Sequence, residues 1–370
     1  MKEDLLKYWL ALKFLPEVGN VIFKNLIGAF GSPRSVFQAS ITALTGVHRV
    51  TERIALHIKE FNDWPTIDRE LELAERYNIS IITSSDRLYP KNLLNIYDYP
   101  PLLYVKGHLS EDDINIAVVG SRMASTYGKF ITERLCRELA MKGITIVSGM
   151  ARGIDSAAHR GALTGKGRTI AVLGSGIDVI YPPENRNLYE KIAASGAVIT
   201  EFPFSTEPSG PNFPARNRII SGISLGVVVA EANEKSGSLI TARSALDQGR
   251  DVFAIPGSID SPGSTGTHKL IREGAKLCEN IYDILEEILP QIDIAPSQNK
   301  DTAIDSGIDR DPLNSSESSV LDKIGKKPIH IDTLIPMTGL NAGNLLNILL
   351  TLELKGYIEQ LPGKTFTIKE

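Results

Sequence analysis

The feature that most constrains the fold is a series of six short apolar segments, at 115–119, 144–148, 169–173, 197–200, 226–230 and 251–255, separated by helix-forming or loop stretches. Segments such as NIAVV, ITIVS and GVVVA are apolar almost throughout rather than alternating, which marks strands buried on both faces. Strand and helix repeats of this kind predict an α/β protein with a right-handed, mostly parallel, doubly wound sheet. Polar residues between the segments then fall on loops at strand ends. In an open sheet, the crevice outside the carboxyl ends of the strands is where ligands bind.

The flanks read differently. Residues 1–65 have helical periodicity broken by Pro16, Gly19, Gly31 and Gly46, which predicts a helical domain of several short helices. Within it LPEVGNVIFKNLIGAFGS (15–32) has the form of a helix-hairpin-helix whose hairpin amides could meet a phosphate; a bundle used for packing or protein contact is the competing account. The sheet domain is expected over 66–285, with a strand at 79–84 and an extended, proline-rich entry at 86–107. Residues 286–319 carry eight acidic residues against two basic ones and lack periodicity, so they read as an acidic linker. Three short helical stretches and a hairpin around Pro362-Gly363 give 320–370 the layout of a winged helix. Its NAGNLLNILLTLELKG stretch has no arginine and only Lys355, which argues against a duplex-reading regulator and favours protein contact or a vestigial role.

Net charge is -4, so a nucleic-acid surface has to be a local patch. Between positions 115 and 280, nineteen Lys and Arg stand against fifteen Asp and Glu, so the basic balance lies in the sheet domain. Cys136 and Cys278 are the only cysteines, too few for a disulfide framework or a cysteine-based zinc site, and a reducing cytoplasm is the expected setting. No stretch reaches the roughly 18 continuous apolar residues of a membrane span, and the N-terminus lacks the pattern of a signal peptide.

Three glycine-bearing turns follow predicted strands: VVGSRMAS, VSGMARGID and VLGSGIDVIYPPEN. They bring Gly120, Ser121, Arg122, Gly149 and Arg152 to one sheet edge, where backbone N–H groups favour an anion. Gly120 is not followed by the dinucleotide fingerprint, the next strand ends without a ribose-binding acid, and no Walker-type GxxxxGK[ST] occurs. Neither NAD, FAD nor ATP hydrolysis is therefore expected. The stretch 211–257 adds a basic, aromatic-bearing loop with Phe213, Arg216, Asn217 and Arg218, then Lys235 before Ser236, Gly237 and Ser238. An exposed Phe213 could stack on an unpaired base while the cations hold phosphates, although an ordinary buried ring explains it equally well. Capping or surface charges are the rival account of Arg122 and Arg152, and a plain serine N-cap that of the Lys235 turn. Asp155 and His159, four residues apart, read as a structural Asp–His hydrogen bond. No catalytic or metal-ligating set emerges, and no enzyme chemistry is expected.

These same residues carry a resemblance. GSR at 120–122, SGMARGIDSAAHRGAL at 148–163, LGSGIDVIYPPEN at 173–185 and PNFPARNRIISGIS with the following SGSLITARSALDQGR and FAIPGSI resemble the DprA (Smf) family of DNA-processing proteins. The resemblance implies an extended Rossmann-like core with a SAM-like N-terminal domain and a C-terminal winged helix, in a homodimeric protein that binds single-stranded DNA and loads RecA recombinase onto DNA protected by single-strand-binding protein during natural transformation. It makes Arg122, Arg152, Phe213, Arg216, Asn217, Lys235 and Ser238 candidates for strand contact and assigns 258–275 to dimerisation and recombinase contact, with His268 where an asparagine is expected. A nucleoside-monophosphate phosphoribohydrolase-like enzyme is the alternative on the same sheet. It needs an acid after Gly266-Thr267, where this chain has His268, Lys269, Leu270 and Ile271.

Overall fold

The computed structural model describes residues 2–293, 315–324, 329–338, 340, 345, 348–349, 352, 357–361 and 365–368. It divides into two units, Met1–Pro296 and Ser297–Glu370. The first unit begins with six helices, α1 (Lys2–Phe14), α2 (Asn20–Phe30), α3 (Pro33–Gln38), α4 (Ile41–Thr45), α5 (Glu52–Lys59) and α6 (Trp64–Arg76). Serine and threonine N-caps start three of them: Ser32, Ser40 and Thr51 each accept a backbone N–H three residues on.

A nine-stranded sheet follows. Its strands are β1 (Ser80–Thr83), β2 (Leu102–Gly107), β3 (Ile114–Val119), β4 (Ile144–Ser148), β5 (Thr169–Val172), β6 (Ala197–Thr200), β7 (Gly226–Val229), β8 (Asp251–Ala254) and β9 (Lys276–Leu277), in the spatial order β1-β2-β6-β5-β4-β3-β7-β8-β9. From β6 across to β9 every pairing is parallel. The chain winds outward from β3 through β4, β5 and β6, then returns to place β7 on the other side of β3 and winds away through β8 and β9. The order therefore reverses between β3 and β7.

Each central strand feeds two cores because its side chains alternate. Ile116 and Val118 pack with Leu135 and Leu139 of α7 (Thr126–Met141), Ala158 of α8 (Ile154–Thr164) and Ile284 of α13 (Tyr282–Asp293). Ala117 and Val119 face the other way, against Ile219 of α10 (Asn212–Ile223), Ala242 of α11 (Ser238–Asp247) and Leu270 of α12 (Thr265–Arg272). The remaining helix, α9 (Arg186–Ser195), joins the N-terminal helices in a third core through Leu188 and Ile192. That contact is fastened by polar groups: Tyr104 donates to buried Glu70 of α6 at 2.7 Å, and the Phe204 amide donates to the same oxygen at 2.9 Å.

The six anticipated strands are all present. Two elements differ from expectation. Strand β2 was hidden behind Pro100 and Pro101 and read only as an extended entry; it pairs antiparallel with both β1 and β6, because Leu102 to Val105 are buried together. The stretch from Asn212 was read as a loop and is the helix α10. Pro214 lies in its first turn, where a missing N–H costs no intrahelical bond.

The second unit holds α14 (Ser315–Leu321), β10 (Ile329–His330), α15 (Ile331–Thr338), β11 (Ile358–Leu361) and β12 (Thr365–Ile368). Its three strands form an antiparallel sheet in the order β10-β12-β11 over a separate core that includes Val320, Leu334, Leu349 and Phe366. Pro362-Gly363 and most of the NAGNLLNILLTLELKG stretch, Lys355 included, lie outside the described residues.

Candidate nucleic-acid interface at the switch point

Two adjoining clefts, of about 260 and 520 Å³, open over the carboxyl ends of the central strands and share Arg122, Met123, Ala151, Phe213 and Arg216. Their position is where the strand order reverses, the usual ligand crevice of this sheet type. The floor is built by close backbone contacts. A Cβ on Gly120 would stand 2.6 Å from the Ile154 side chain and 2.8 Å from the Glu231 carbonyl, so only glycine lets the β3 turn reach the β7 turn. The Ser121 amide then donates to the Glu231 carbonyl at 2.7 Å, and the Ile154 amide to the Ser121 carbonyl at 3.1 Å.

Arg122 is exposed on this floor and sets its guanidinium 4.9 Å from the centre of the Phe213 ring. Phe213 is half-buried, with Arg216 5.9 Å from its centre and Tyr181 tilted against it at 6.0 Å. Lys235 is exposed beside the larger cleft, on a turn closed by its amide donating to Asn233 Oδ1 at 2.9 Å. Ser236 and Ser238 share a hydroxyl hydrogen bond of 2.8 Å, and Gly237, not a serine, occupies the N-cap of α11.

Arg216 and Arg218 were expected to hold phosphates from a loop, and the structure uses both internally. Arg216 is buried; Nη1 donates to the carbonyls of Gly149 at 2.5 Å and Val172 at 2.7 Å, and Nε donates to Asn217 Oδ1 at 3.0 Å. It thus staples the ends of β4 and β5. A Cβ on Gly149 would lie 2.1 Å from Nη1, which explains the glycine without a ligand. Burial pushes the Arg216 pKa down to about 10, with the Asp155 carboxylate acting in the opposite sense. Asn217 is buried beside it. Arg218, on the next face of α10, leaves the crest altogether: it pairs with Glu201 at 2.5 Å and donates to the Asp98 carbonyl at 2.8 Å, in a cluster to which Asn20 of α2 also donates. Helical spacing sends successive side chains about 100° apart, so three basic-region neighbours could not all face one ligand. Arg152 is exposed but ion-paired with Glu184.

Asp155 and His159 are both buried and not bonded as expected. His159 Nδ1 shares a 2.7 Å hydrogen bond with Thr169 Oγ1, whose own proton goes to the Ile146 carbonyl, while Asp155 accepts from the Ala151 amide at 3.3 Å. Burial lowers the His159 pKa to about 3 and raises that of Asp155. Among the described residues no cluster of His, Cys, Asp and Glu is arranged for a metal.

The sequence reading passed over Glu231 and Tyr181. Glu231, at the end of β7, is buried and accepts from the Ser125 amide at 3.0 Å and from its hydroxyl at 2.5 Å. Ser125 in turn caps α7. A Cβ on Gly128 would stand 2.3 Å from Glu231 Oε2. The N-terminus of the helix after the first central strand, which binds pyrophosphate in dinucleotide proteins, is here filled by the chain's own carboxylate. The only sequence signal was an acid directly after the GVVVA run.

The fold and this crevice define a Rossmann-like α/β protein with a C-terminal winged-helix unit, built on a switch point that lacks the dinucleotide fingerprint. The chain belongs to the DprA (Smf) family of DNA-processing proteins: the family model for DNA recombination-mediator protein A matches residues 80–289, and that for the DprA winged helix domain matches 309–364. Protein Smf of Synechocystis sp. is 35% identical over 97% of this chain and 98% of its own length. The crystal structure of DNA processing protein A from Streptococcus pneumoniae aligns with a TM-score of 0.66 at 37% identity, over 76% of this chain and 98% of that one. DNA processing protein A from Helicobacter pylori, described for its single-stranded DNA binding mode, aligns with a TM-score of 0.52 at 31% identity, over 58% of this chain and 96% of that one.

Proposed function

We propose that this protein is a non-enzymatic recombination mediator that grips single-stranded DNA at the switch-point crest, dimerises, and loads RecA onto incoming strands covered by single-strand-binding protein during natural transformation. The observation that carries the reading is the pairing of exposed Arg122 with the Phe213 ring, flanked by exposed Lys235, over the two adjoining clefts at the switch point. The single-stranded DNA binding described for the Helicobacter relative supports it. Phe213 and Tyr181 offer faces for bases, and Arg122 and Lys235 offer donors to phosphates. Arg152 joins them by exchanging Glu184 for a phosphate. Arg216, Asn217 and Gly149 shape the floor.

Segment 258–275, with Ile259 86% exposed, is the proposed dimer and recombinase surface. The hydrolase alternative loses ground because His268, where its acid would be needed, turns inward, with Nε2 3.1 Å from the Gly257 carbonyl. The working domains are 1–65, 66–285 and 320–370; of the acidic stretch 286–319 proposed to join them, 286–293 complete α13, with Ile288 buried in the core, and 315–319 lie in α14. The proposed setting is cytoplasmic, and no helix among the described residues is long and apolar enough to cross a membrane.

Competition binding to single-stranded DNA, duplex DNA and nucleotides across a salt series tests the reading. Single strands of any sequence should bind tightest, with affinity falling steeply as salt rises. Arg122→Ala and Lys235→Ala should each weaken binding and shallow the salt slope by about one unit. Unchanged affinity in both variants, or release of base from a nucleoside monophosphate, overturns it.

A further inference from the structure

Helix α7 leaves the crest with an exposed face whose composition its own packing does not require. Thr132, Leu135, Cys136 and Leu139 bury one side of the helix against the sheet. On the other side Tyr127, Phe130, Arg134, Arg137 and Met141 follow at alternating steps of three and four residues, which aligns them in one stripe. Tyr127 is 60%, Phe130 63% and Met141 70% exposed. Three large apolar side chains in one outward stripe exceed the scattered singles of an ordinary surface.

The stripe is continuous with the clefts. Met123, 93% exposed and part of both clefts, lies three residues before the first residue of α7. Its charge is also complementary to a polyanion. Glu133 is engaged by Arg160 of α8 at 2.8 Å and Glu138 lies 3.9 Å from Arg134, while Lys129 and Arg137 form no ion pair among the described residues. A shallow groove of about 310 Å³ runs beside Phe130, Arg134 and Arg137 toward α8. Docking another helix here would desolvate Arg137 with no ion-pair partner among the described residues, and Arg134 with only its 3.9 Å contact to Glu138, an unfavourable burial of charge. A phosphate backbone would neutralise the same cations, and rings beside cations are the pattern of a sequence-tolerant strand platform.

We propose that the outer face of α7 is a second segment of the single-strand track, receiving nucleotides that pass Met123 on leaving the crest. This rests on the crest reading and extends it by the length of a 16-residue helix, about 24 Å. Bases stack on Tyr127 and Phe130, and phosphates meet Arg134 and Arg137, with Lys129 on the flank of the stripe.

The test is fluorescence anisotropy on the full chain with a length series of oligothymidylates. Wild-type affinity should keep rising beyond the shortest strand that fills the crest. The double variant Tyr127→Ala/Phe130→Ala and the double variant Arg134→Glu/Arg137→Glu should each lose about tenfold or more on long strands and stay within about twofold on the shortest. Tyr127→Trp/Phe130→Tyr should restore the length dependence, which separates ring stacking from a folding defect. Arg122→Ala serves as the crest control: its loss on the shortest strands supports the crest reading independently, and unchanged binding there sinks that reading rather than this one. Long-strand affinity at the wild-type level in both double variants overturns the proposal. So does a drop in self-association by sedimentation with the length dependence intact, which would make the stripe a protein interface.

Discussion

Two arginines meet the same aromatic ring, and the structure gives them opposite jobs. Arg216→Ala should destabilise the fold that Arg122→Ala leaves intact. Arg216 is 5% exposed and holds two buried carbonyls at the ends of β4 and β5, together with the Asn217 side chain. Truncation leaves those oxygens unpaired at about 1–3 kcal/mol each, and the loss of a buried charge's partners brings the total to about 3–5 kcal/mol. That corresponds to a fall in melting temperature on the order of 10 °C for a domain of this size. Arg122 is exposed, and its contact with Phe213 is worth about 0.5–1 kcal/mol. Circular dichroism melts and urea titrations of both variants make the comparison.

The effect should also depend on pH. Burial raises the Asp155 pKa, so its contribution to stability is present below the unfolded value and is lost as pH rises through the folded one. Removing the Arg216 charge raises that folded pKa further, so the Arg216→Ala deficit should be larger at alkaline than at mildly acidic pH. An Arg216→Ala protein within about 1 kcal/mol of wild type at neutral pH would refute the staple.

Three further outcomes are expected. Phe213→Ala should cost about 1–3 kcal/mol of single-strand affinity, measured by anisotropy, and Phe213→Trp should recover most of it; equal binding by the alanine variant removes the stacking role. His159 is held neutral, with a pKa lowered to about 3, so the unfolded chain takes up its proton first as pH falls below about 6.5, and stability drops by about 1.4 kcal/mol per pH unit. His159→Gln should lack that component in urea midpoints across the same range, whereas parallel wild-type and variant curves would contradict it. Gly128→Ala, which puts a methyl 2.3 Å from Glu231 Oε2, and Glu231→Ala, which frees Ser125, should each destabilise by about 1–3 kcal/mol; wild-type melting of both would mean that the carboxylate does not hold the turn.

How much was legible in the sequence varies by element. The six central strands could be read because parallel strands covered on both faces must be apolar throughout, and segments such as GVVVA satisfy nothing else of that length. Strand β2 could not, because the prolines before it report local backbone preference while its place in the sheet depends on β1 and β6, which are remote in the chain. The crest was foreseeable as a place, since glycine turns after parallel strands must gather at one edge. Its membership was not.

Sequence by itself determined the doubly wound sheet, the edge where its turns gather and the absence of a nucleotide fingerprint, because these follow from local apolar pattern and from which residues stand next to each strand. Only the tertiary structure decided the fate of each charge. Adjacent residues of α10 point in different directions, and a guanidinium goes wherever carbonyls or carboxylates from distant segments need a partner: Arg216 to Gly149 and Val172, Arg218 to Glu201 and Asp98. Arg122 stays on the surface, where no carbonyl or carboxylate among the described residues pairs with it, and Glu231 fills the helix end that a cofactor would otherwise take.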